Sequence, residues 1–198
     1  ELLKLHNFCA PSHKDFNITS PVSIRKWLGK NDPPELIVHC AAYTDVANAE
    51  KDKDLCYHVN VRGTGNLSDL GIPMVYISTE YVFDGEKGNY LEEDVPNPRN
   101  FYALTKLLGE FEAKRTYPLI IRTLLKPKPF EHPAACVDQF TSGDYVDVIA
   151  KEIMIAIKAF NKNHDIFRSN IINIGTGRKS TFDLARQTRD VIPITVES

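Results

Sequence analysis

Tyr102 and Lys106 are separated by Ala103-Leu-Thr105, a spacing that puts both on one face of a helix about one turn apart. A free phenol titrates near pH ~10, too high to exchange protons usefully at neutrality. An ammonium within about 4–6 Å favours the phenolate and can lower that pKa by roughly 1–3 units. Such a pair brings a tyrosine into the range of a working acid or base, the group that carbonyl reduction needs. Upstream, Val75-Tyr-Ile-Ser-Thr79 closes an apolar run with two hydroxyls, and a buried strand there would deliver Ser78 and Thr79 into the same cleft. A Tyr-x-x-x-Lys spacing also arises by chance, so the flanking segments decide its meaning.

Those segments alternate strand and helix. Asn7–Ala10 reads as a short strand, and Ser20-Pro21 opens a helix through Gly29, since proline suits a first turn. Leu36–Cys40 is an apolar strand of the kind a parallel sheet buries on both faces. Asp45–Gly65 reads as helix, Met74–Ser78 as strand, Tyr102–Thr116 as helix and Leu119–Arg122 as strand. Asp147–Phe160 is an amphipathic helix, Ile171–Ile174 a strand and Thr181–Thr188 a last helix. This rhythm predicts an α/β fold, a Rossmann-like doubly wound parallel sheet with ligand at the carboxyl ends of the strands. The proline-rich stretch Lys126–Pro133 marks the crossing into a small substrate-binding lobe. Residues 1–125 are thus expected to form the dinucleotide-binding part, and 126–198 the lobe and the last sheet elements.

Composition narrows the classes. A chain of 198 residues, 42% of them hydrophobic, suits one core-bearing domain with a small appendage. A net charge of −2 gives no electrostatic case for nucleic acid or an anionic membrane, and no apolar run approaches the ~20 residues of a membrane helix. Cys9, Cys40, Cys56 and Cys136 lack metal-like spacing; Cys40 reads as a buried small hydrophobe, and reduced thiols in a cytoplasmic setting are expected. The six histidines form no metal or triad pattern, His39 being packed in the sheet. Glu92-Glu93-Asp94 reads as a solvated acidic loop, so no metal site is expected.

His39-Cys-Ala-Ala-Tyr-Thr44, Ala49-Glu50, Val59-Asn60, Ile77-Ser-Thr-Glu-Tyr-Val-Phe-Asp-Gly85, Tyr90-x-Glu92, Pro98, Tyr102-x-x-x-Lys106 and Gly109-Glu110 follow in this order. The set resembles the extended short-chain dehydrogenase/reductases, and more narrowly the dTDP-4-dehydrorhamnose reductases and related nucleotide-sugar reductases. The Ser-Thr-Glu-Tyr-Val-Phe-Asp-Gly string is the specific part, with Glu80 where most members of that family carry Asp. A fold of this type opens with a strand and a glycine-rich turn, whereas here Glu1-Leu-Leu-Lys-Leu5 comes first and the first glycine is Gly29. The opening reads as the tail of a first helix, with the turn expected to be lost by truncation or disorder. Asn66–Gly71 likewise reads a few residues short for a helix return.

The resemblance implies a catalytic set of Thr79, Tyr102 and Lys106, with Ser78 the alternative hydroxyl should the strand slip by one residue. It places Ala41 and Ala42 against the cofactor, with Thr44 and Asn60 as further neighbours, and has Lys106 hold the nicotinamide ribose beside Tyr102. In this fold an acid after the second strand suits NAD and a basic residue suits NADP. Ser12 and Lys14 could hold a 2′-phosphate, so NADPH is expected, with NAD left open by Asp15. Glu80, Val82, Phe83 and Arg122 are candidates for the nucleotide-sugar substrate. Val82 and Phe83 could equally be core, and Arg122 could equally form a structural ion pair. Gln139–Tyr145 resembles the family's substrate-lobe return, and a homodimer is compatible with all of this. The implied function is NADPH-dependent reduction of a nucleotide-linked 4-keto sugar, as in dTDP-rhamnose biosynthesis. Two rivals stay open: a non-catalytic dinucleotide-binding regulatory subunit, as in the beta subunit of methionine adenosyltransferase, and a nucleotide-sugar epimerase or dehydratase. For the latter, Tyr81 after Glu80 fails to supply the acidic pair that dehydratases use.

Overall fold

The computed structural model describes residues 8–162 and 170–196. Strands run in chain order β1 (Ile37–His39), β2 (Met74–Thr79), β3 (Pro118–Thr123), β4 (Leu125–Lys126), β5 (Ala134–Cys136), β6 (Phe140–Thr141), β7 (Asp144–Tyr145), β8 (Ile171–Asn173), β9 (Lys179–Ser180) and β10 (Ile192–Ile194). The helices are α1 (Pro21–Leu28), α2 (Lys53–Tyr57), α3 (Thr64–Ser68), α4 (Phe101–Ala113), α5 (Val146–Lys162) and α6 (Thr181–Ala185). The chain divides into two compact units, one of residues up to Arg122 with Ala159–Asn173, the other of Thr123–Lys158 with Ile174 onward.

The first unit is built on a sheet of order β1-β2-β3-β8. Ile37 pairs with Met74 and His39 with Tyr76 in parallel, as Ile120 does with Ile171. All six residues of β3 and five of the six in β2 are buried, as expected of strands covered on both faces. Met74, Tyr76 and Ile120 pack with Ile18, Ile24, Leu67, Ala113 and Ile171 into one core cluster. The α/β character and parallel sheet are as the sequence implies, with one correction. Residues 8–10 form no strand; Asn7 lies outside the described residues, and no neighbour pairs with 8–10 among those described. At Asn66–Gly71 the helix runs on to Ser68, and Gly71 takes a φ of +67 before β2.

Local sequence explains the helices that carry the site. Ser20 accepts from the Ser23 amide at 3.2 Å and proline fills the first turn of α1. Between α2 and α3, His58–Gly63 widens into a π-turn, a device that re-aims side chains within a helix. Helix α4 starts where the Asn100 side chain accepts from the Ala103 amide at 2.8 Å, while Glu50 accepts from the Phe101 amide at 2.7 Å. Two of the donors left over at a helix start are satisfied this way. Midway along α4, Gly109 lets the helix press against the sheet: a Cβ there would collide with the Tyr76 hydroxyl and come 2.8 Å from the Asn60 carbonyl oxygen.

The second unit is made of two-stranded ladders, β4 with β7 and β5 with β10 in parallel, and β6 with β9 antiparallel. Its core gathers Phe130, Ala135, Tyr145, Leu184 and Ala185, and the Tyr145 hydroxyl donates to the Leu184 carbonyl at 2.9 Å. The chain leaves the first unit at Thr123, three residues before the expected boundary, and returns through α5 so that β8 joins the large sheet.

Candidate active site

Thr79 ends β2 at the carboxyl edge of the sheet, with its hydroxyl accepting from the Tyr81 amide at 3.2 Å. Tyr102 lies in the first turn of α4 and Lys106 one turn later; Thr79, Tyr102 and Lys106 are all buried. The Lys106 Nζ donates to the Ile77 carbonyl at 2.7 Å and stands 4.2 Å from the centre of the Tyr76 ring. Burial pulls the Lys106 amine down to about 7, with Glu110 foremost among the groups opposing the shift. Burial pushes the Tyr102 phenol up to about 12, while its hydrogen-bonding neighbour Thr79 works in the opposite direction.

The amine is held on the Ile77 carbonyl and over the Tyr76 ring. Burial favours the protonated form of Tyr102, beside the Thr79 hydroxyl. Ser78, one residue back, faces the other way and donates to Glu110 at 2.6 Å, so the pleat separates the two hydroxyls as strand geometry requires.

At the carboxyl end of β1, Cys40 and Ala41 are exposed and Ala42 is half-buried. Cys40 is thus not the buried hydrophobe expected, because the strand stops at His39. It lies within the field of the Lys106 amine, which puts this strand end and α4 at one place. His39 is buried as expected, its Nε2 3.0 Å from the Thr64 hydroxyl, and burial holds its pKa down at about 3. Thr44 is exposed on the loop that follows. Asn60 does not face out toward a cofactor: it accepts from the Tyr43 amide at 2.8 Å and donates to Thr105 at 3.0 Å and to the Tyr43 carbonyl at 3.2 Å. It ties the loop after β1 to α4. The sequence carried the residue but no signal for this tether, made from within the π-turn.

The other candidates fall outside this cluster or are already committed. The Ser12 hydroxyl donates to the Asp15 carboxylate at 2.6 Å, and Lys14 is exposed in the same turn. Glu80 is half-buried next to Thr79. Val82 is fully buried and belongs to the core, and Phe83, also buried, stacks on Tyr90 at 4.4 Å. Arg122 is only 3% exposed, with Nε and Nη2 on the two Glu110 oxygens at 2.9 and 2.8 Å. Of its two readings the ion pair holds, since a buried guanidinium already paired twice is not offered to a diphosphate. Glu92 is likewise more than a solvated acid: its carboxylate accepts from the Asn173 amide at 2.8 Å. Among the described residues no group of three His, Cys, Asp or Glu could hold a metal ion, and no helix is long and apolar enough to cross a membrane.

A parallel α/β sheet with Thr79 at a strand end and a Tyr-x-x-x-Lys helix against it defines the extended short-chain dehydrogenase/reductase class. Within that class the chain belongs to the RmlD substrate binding domain family, whose model matches residues 2–125. It is 29% identical over 195 residues to a probable low-salt glycan biosynthesis reductase of Haloferax volcanii, covering 91% of this chain and 63% of that protein. Over 81 residues it is 46% identical to the methionine adenosyltransferase 2 subunit beta of Bos taurus, covering 39% of this chain and 24% of that one. The chain thus spans less than two thirds of the length of these relatives. In three dimensions it matches a dTDP-4-dehydrorhamnose reductase of Bacillus anthracis solved in complex with NADP, with a TM-score of 0.81 and 26% identity over 98% of this chain and 77% of that one.

Proposed function

We propose that the protein containing this chain reduces the keto group of a nucleotide-linked 4-keto sugar with NADPH, as a dTDP-4-dehydrorhamnose reductase does. The observation that carries the reading is the assembly of Thr79, Tyr102 and Lys106 at one strand end in a member of this family. Similarity to a reductase solved with NADP and to a glycan biosynthesis reductase supports it. The residues present fit the nicotinamide end of such a cofactor. Cys40 and Ala41 leave the end of β1 open and without bulk, and the Lys106 amine lies beside it. Ala41, Ala42, Tyr102 and Lys106 would line that end, with Thr44 near it, and Lys14 would meet a 2′-phosphate. The bound cofactor supplies hydride to the ketone carbon.

The chain's own residues handle the proton. Tyr102, whose phenolic hydrogen burial helps retain, gives it to the ketone oxygen as negative charge develops there, an alkoxide being far more basic than a phenolate. The Thr79 hydroxyl hydrogen-bonds the same oxygen, a fixed dipole aimed at developing charge. Lys106, held on the Ile77 carbonyl, places positive charge one helical turn from the phenol and offsets the phenolate that proton donation leaves. Glu80 and Phe83 are the candidates for the sugar side. Four free thiols support a cytoplasmic setting.

The test is NADPH oxidation by the full-length protein against a panel of nucleotide 4-keto sugars. Turnover with a dTDP-linked 4-keto sugar is expected, and inactivity across the panel with cofactor bound would overturn the reading. That outcome would favour the second one, a dinucleotide-binding subunit, which has the match to the bovine subunit beta behind it.

A further inference from the structure

A buried ammonium is costly unless a counter-charge and hydrogen bonds offset its lost hydration. Lys106 is 3% exposed and donates to one carbonyl oxygen, with the Tyr76 ring supplying a cation–π contact. Two carboxylates are buried among the described residues, Glu110 and Asp144. Asp144 belongs to the other unit and pairs with Lys179 there, at 3.2 Å. Glu110 lies one turn after Lys106 on the same face of α4 and is 1% exposed.

The Glu110 carboxylate is held from three sides of the fold. Ser78 on β2 donates to Oε1, Arg122 on β3 donates to both oxygens, and the carboxylate itself rides on α4. The guanidinium also lies 5.1 Å over the Phe83 ring. Three charge-assisted bonds fix the carboxylate as an anion in a fixed position. A clamp whose sole purpose was to dock α4 would need no charge at all, since buried ion pairs rarely stabilise more than apolar isosteres.

We propose that Glu110 is a positioning residue for the Tyr102–Lys106 pair: its carboxylate, pinned by Arg122 and Ser78, is the counter-charge that keeps the Lys106 amine protonated on the Ile77 carbonyl. Its catalytic consequence rests on the reductase reading above. The groups facing the amine are Glu110 and Tyr102 on α4, His39 and Cys40 at β1, Cys56 on α2 and the Tyr76 ring on β2. His39 is held neutral by burial, burial pushes the Cys56 thiol up, and the surrounding protein partly desolvates the exposed Cys40 thiol with the same direction of shift. Glu110 is the buried carboxylate of this unit among the described residues and shares α4 with the amine, while Arg122, paired to it, carries the opposing charge that the double variant removes with it.

The test titrates Lys106 directly, through its 13Cε resonance in the full-length protein labelled with 13C-lysine. Parent, Glu110→Gln and the double variant Glu110→Gln/Arg122→Met are compared. The double variant removes both charges, leaves no buried ion unpaired and keeps the test alive if the single variant fails to fold. The expected result is a Lys106 midpoint lower by about one pH unit or more, with the alkaline limb of kcat/KM moving down in step and KM for the sugar little changed. An unmoved midpoint in the folded double variant overturns the proposal, even if stability falls. A lowered midpoint in a protein that binds NADPH but reduces no sugar of the panel upholds the role of Glu110 and sinks the reductase reading instead.

Discussion

Helix α4 carries two buried polar clusters along one face, and they differ in how completely they are satisfied. At the later one, Glu110 takes bonds from Ser78 and Arg122, and every bond is charge-assisted. At the earlier one, Lys106 holds one carbonyl and a ring, and Tyr102 has the Thr79 hydroxyl beside it. A closed network is rigid and inert, whereas an open one has donors left over for a substrate oxygen. The difference separates scaffold from chemistry on a single helix. Arg122, near the end of β3, belongs to the closed cluster.

The largest expected effect breaks the closed cluster. Arg122→Ala strands the Glu110 carboxylate in the core, and losing one partner of a buried pair costs about 3–5 kcal/mol. Urea unfolding should show a midpoint far below that of the parent, whereas Glu110→Gln/Arg122→Met should stay near it. A loss of under about 1 kcal/mol in Arg122→Ala would mean that solvent reaches the pair, and the contrast between the clusters would fail.

The open cluster should respond the other way round. Tyr102→Phe removes a hydroxyl outside the closed network, so unfolding should barely move while turnover falls by at least ~10²-fold, the usual scale for a lost general acid. Equal turnover of mutant and parent would remove Tyr102 from the mechanism.

A smaller, pH-dependent effect sharpens the comparison. The Lys106 pKa is lowered from 10.5 to about 7 in the folded protein, so between those values the unfolded chain binds more protons than the native one. Stability then rises with pH across that window. Tyr102, raised from 10.0 to about 12, acts in the opposite sense: it loses stability as pH climbs above 10. Denaturation midpoints measured from pH 7 to 9.5 should climb in the parent and lose part of that slope in Lys106→Met. An identical slope in both proteins would show that the amine is hydrated rather than buried.

These contrasts also show what the sequence could and could not disclose. The sheet strands were legible because a two-sided strand needs an unbroken apolar run, as in Met74–Ile77 and Leu119–Ile121. The start of α4 was legible from Tyr102 and its periodicity, and the separation of Thr79 from Ser78 from strand alternation. The state of Arg122 was not, because its two readings differ only in what lies across the core, and its partner Glu110 is twelve residues upstream. The π-turn at His58–Gly63 was invisible for a similar reason. Asn60 within it bonds to Tyr43 and Thr105, contacts made across 17 and 45 residues. The two-residue strands of the second unit lack the length for any period to show.

The smallest effect concerns cofactor choice, at the turn after the irregular residues 8–10. Ser12 and Lys14 were paired as phosphate ligands, but Ser12 already donates to Asp15. Asp15 also takes the Ser12 carbonyl through its own amide at 3.0 Å, closing the turn. That leaves Lys14 as the exposed positive charge here, while the serine hydroxyl keeps Asp15 occupied and away from a ribose. Lys14→Ala in the full-length protein should therefore weaken NADPH by roughly 5–30-fold and leave NADH nearly unchanged, the scale of one exposed charge-assisted contact. Ser12→Ala should act oppositely: with its carboxylate released, Asp15 can accept from a ribose 2′-hydroxyl, and the preference for NADPH over NADH should shrink. Calorimetric titration of both cofactors into both variants separates these outcomes. If Lys14→Ala weakens the two cofactors equally, the lysine meets a group they share, and the choice between them is made elsewhere in the protein.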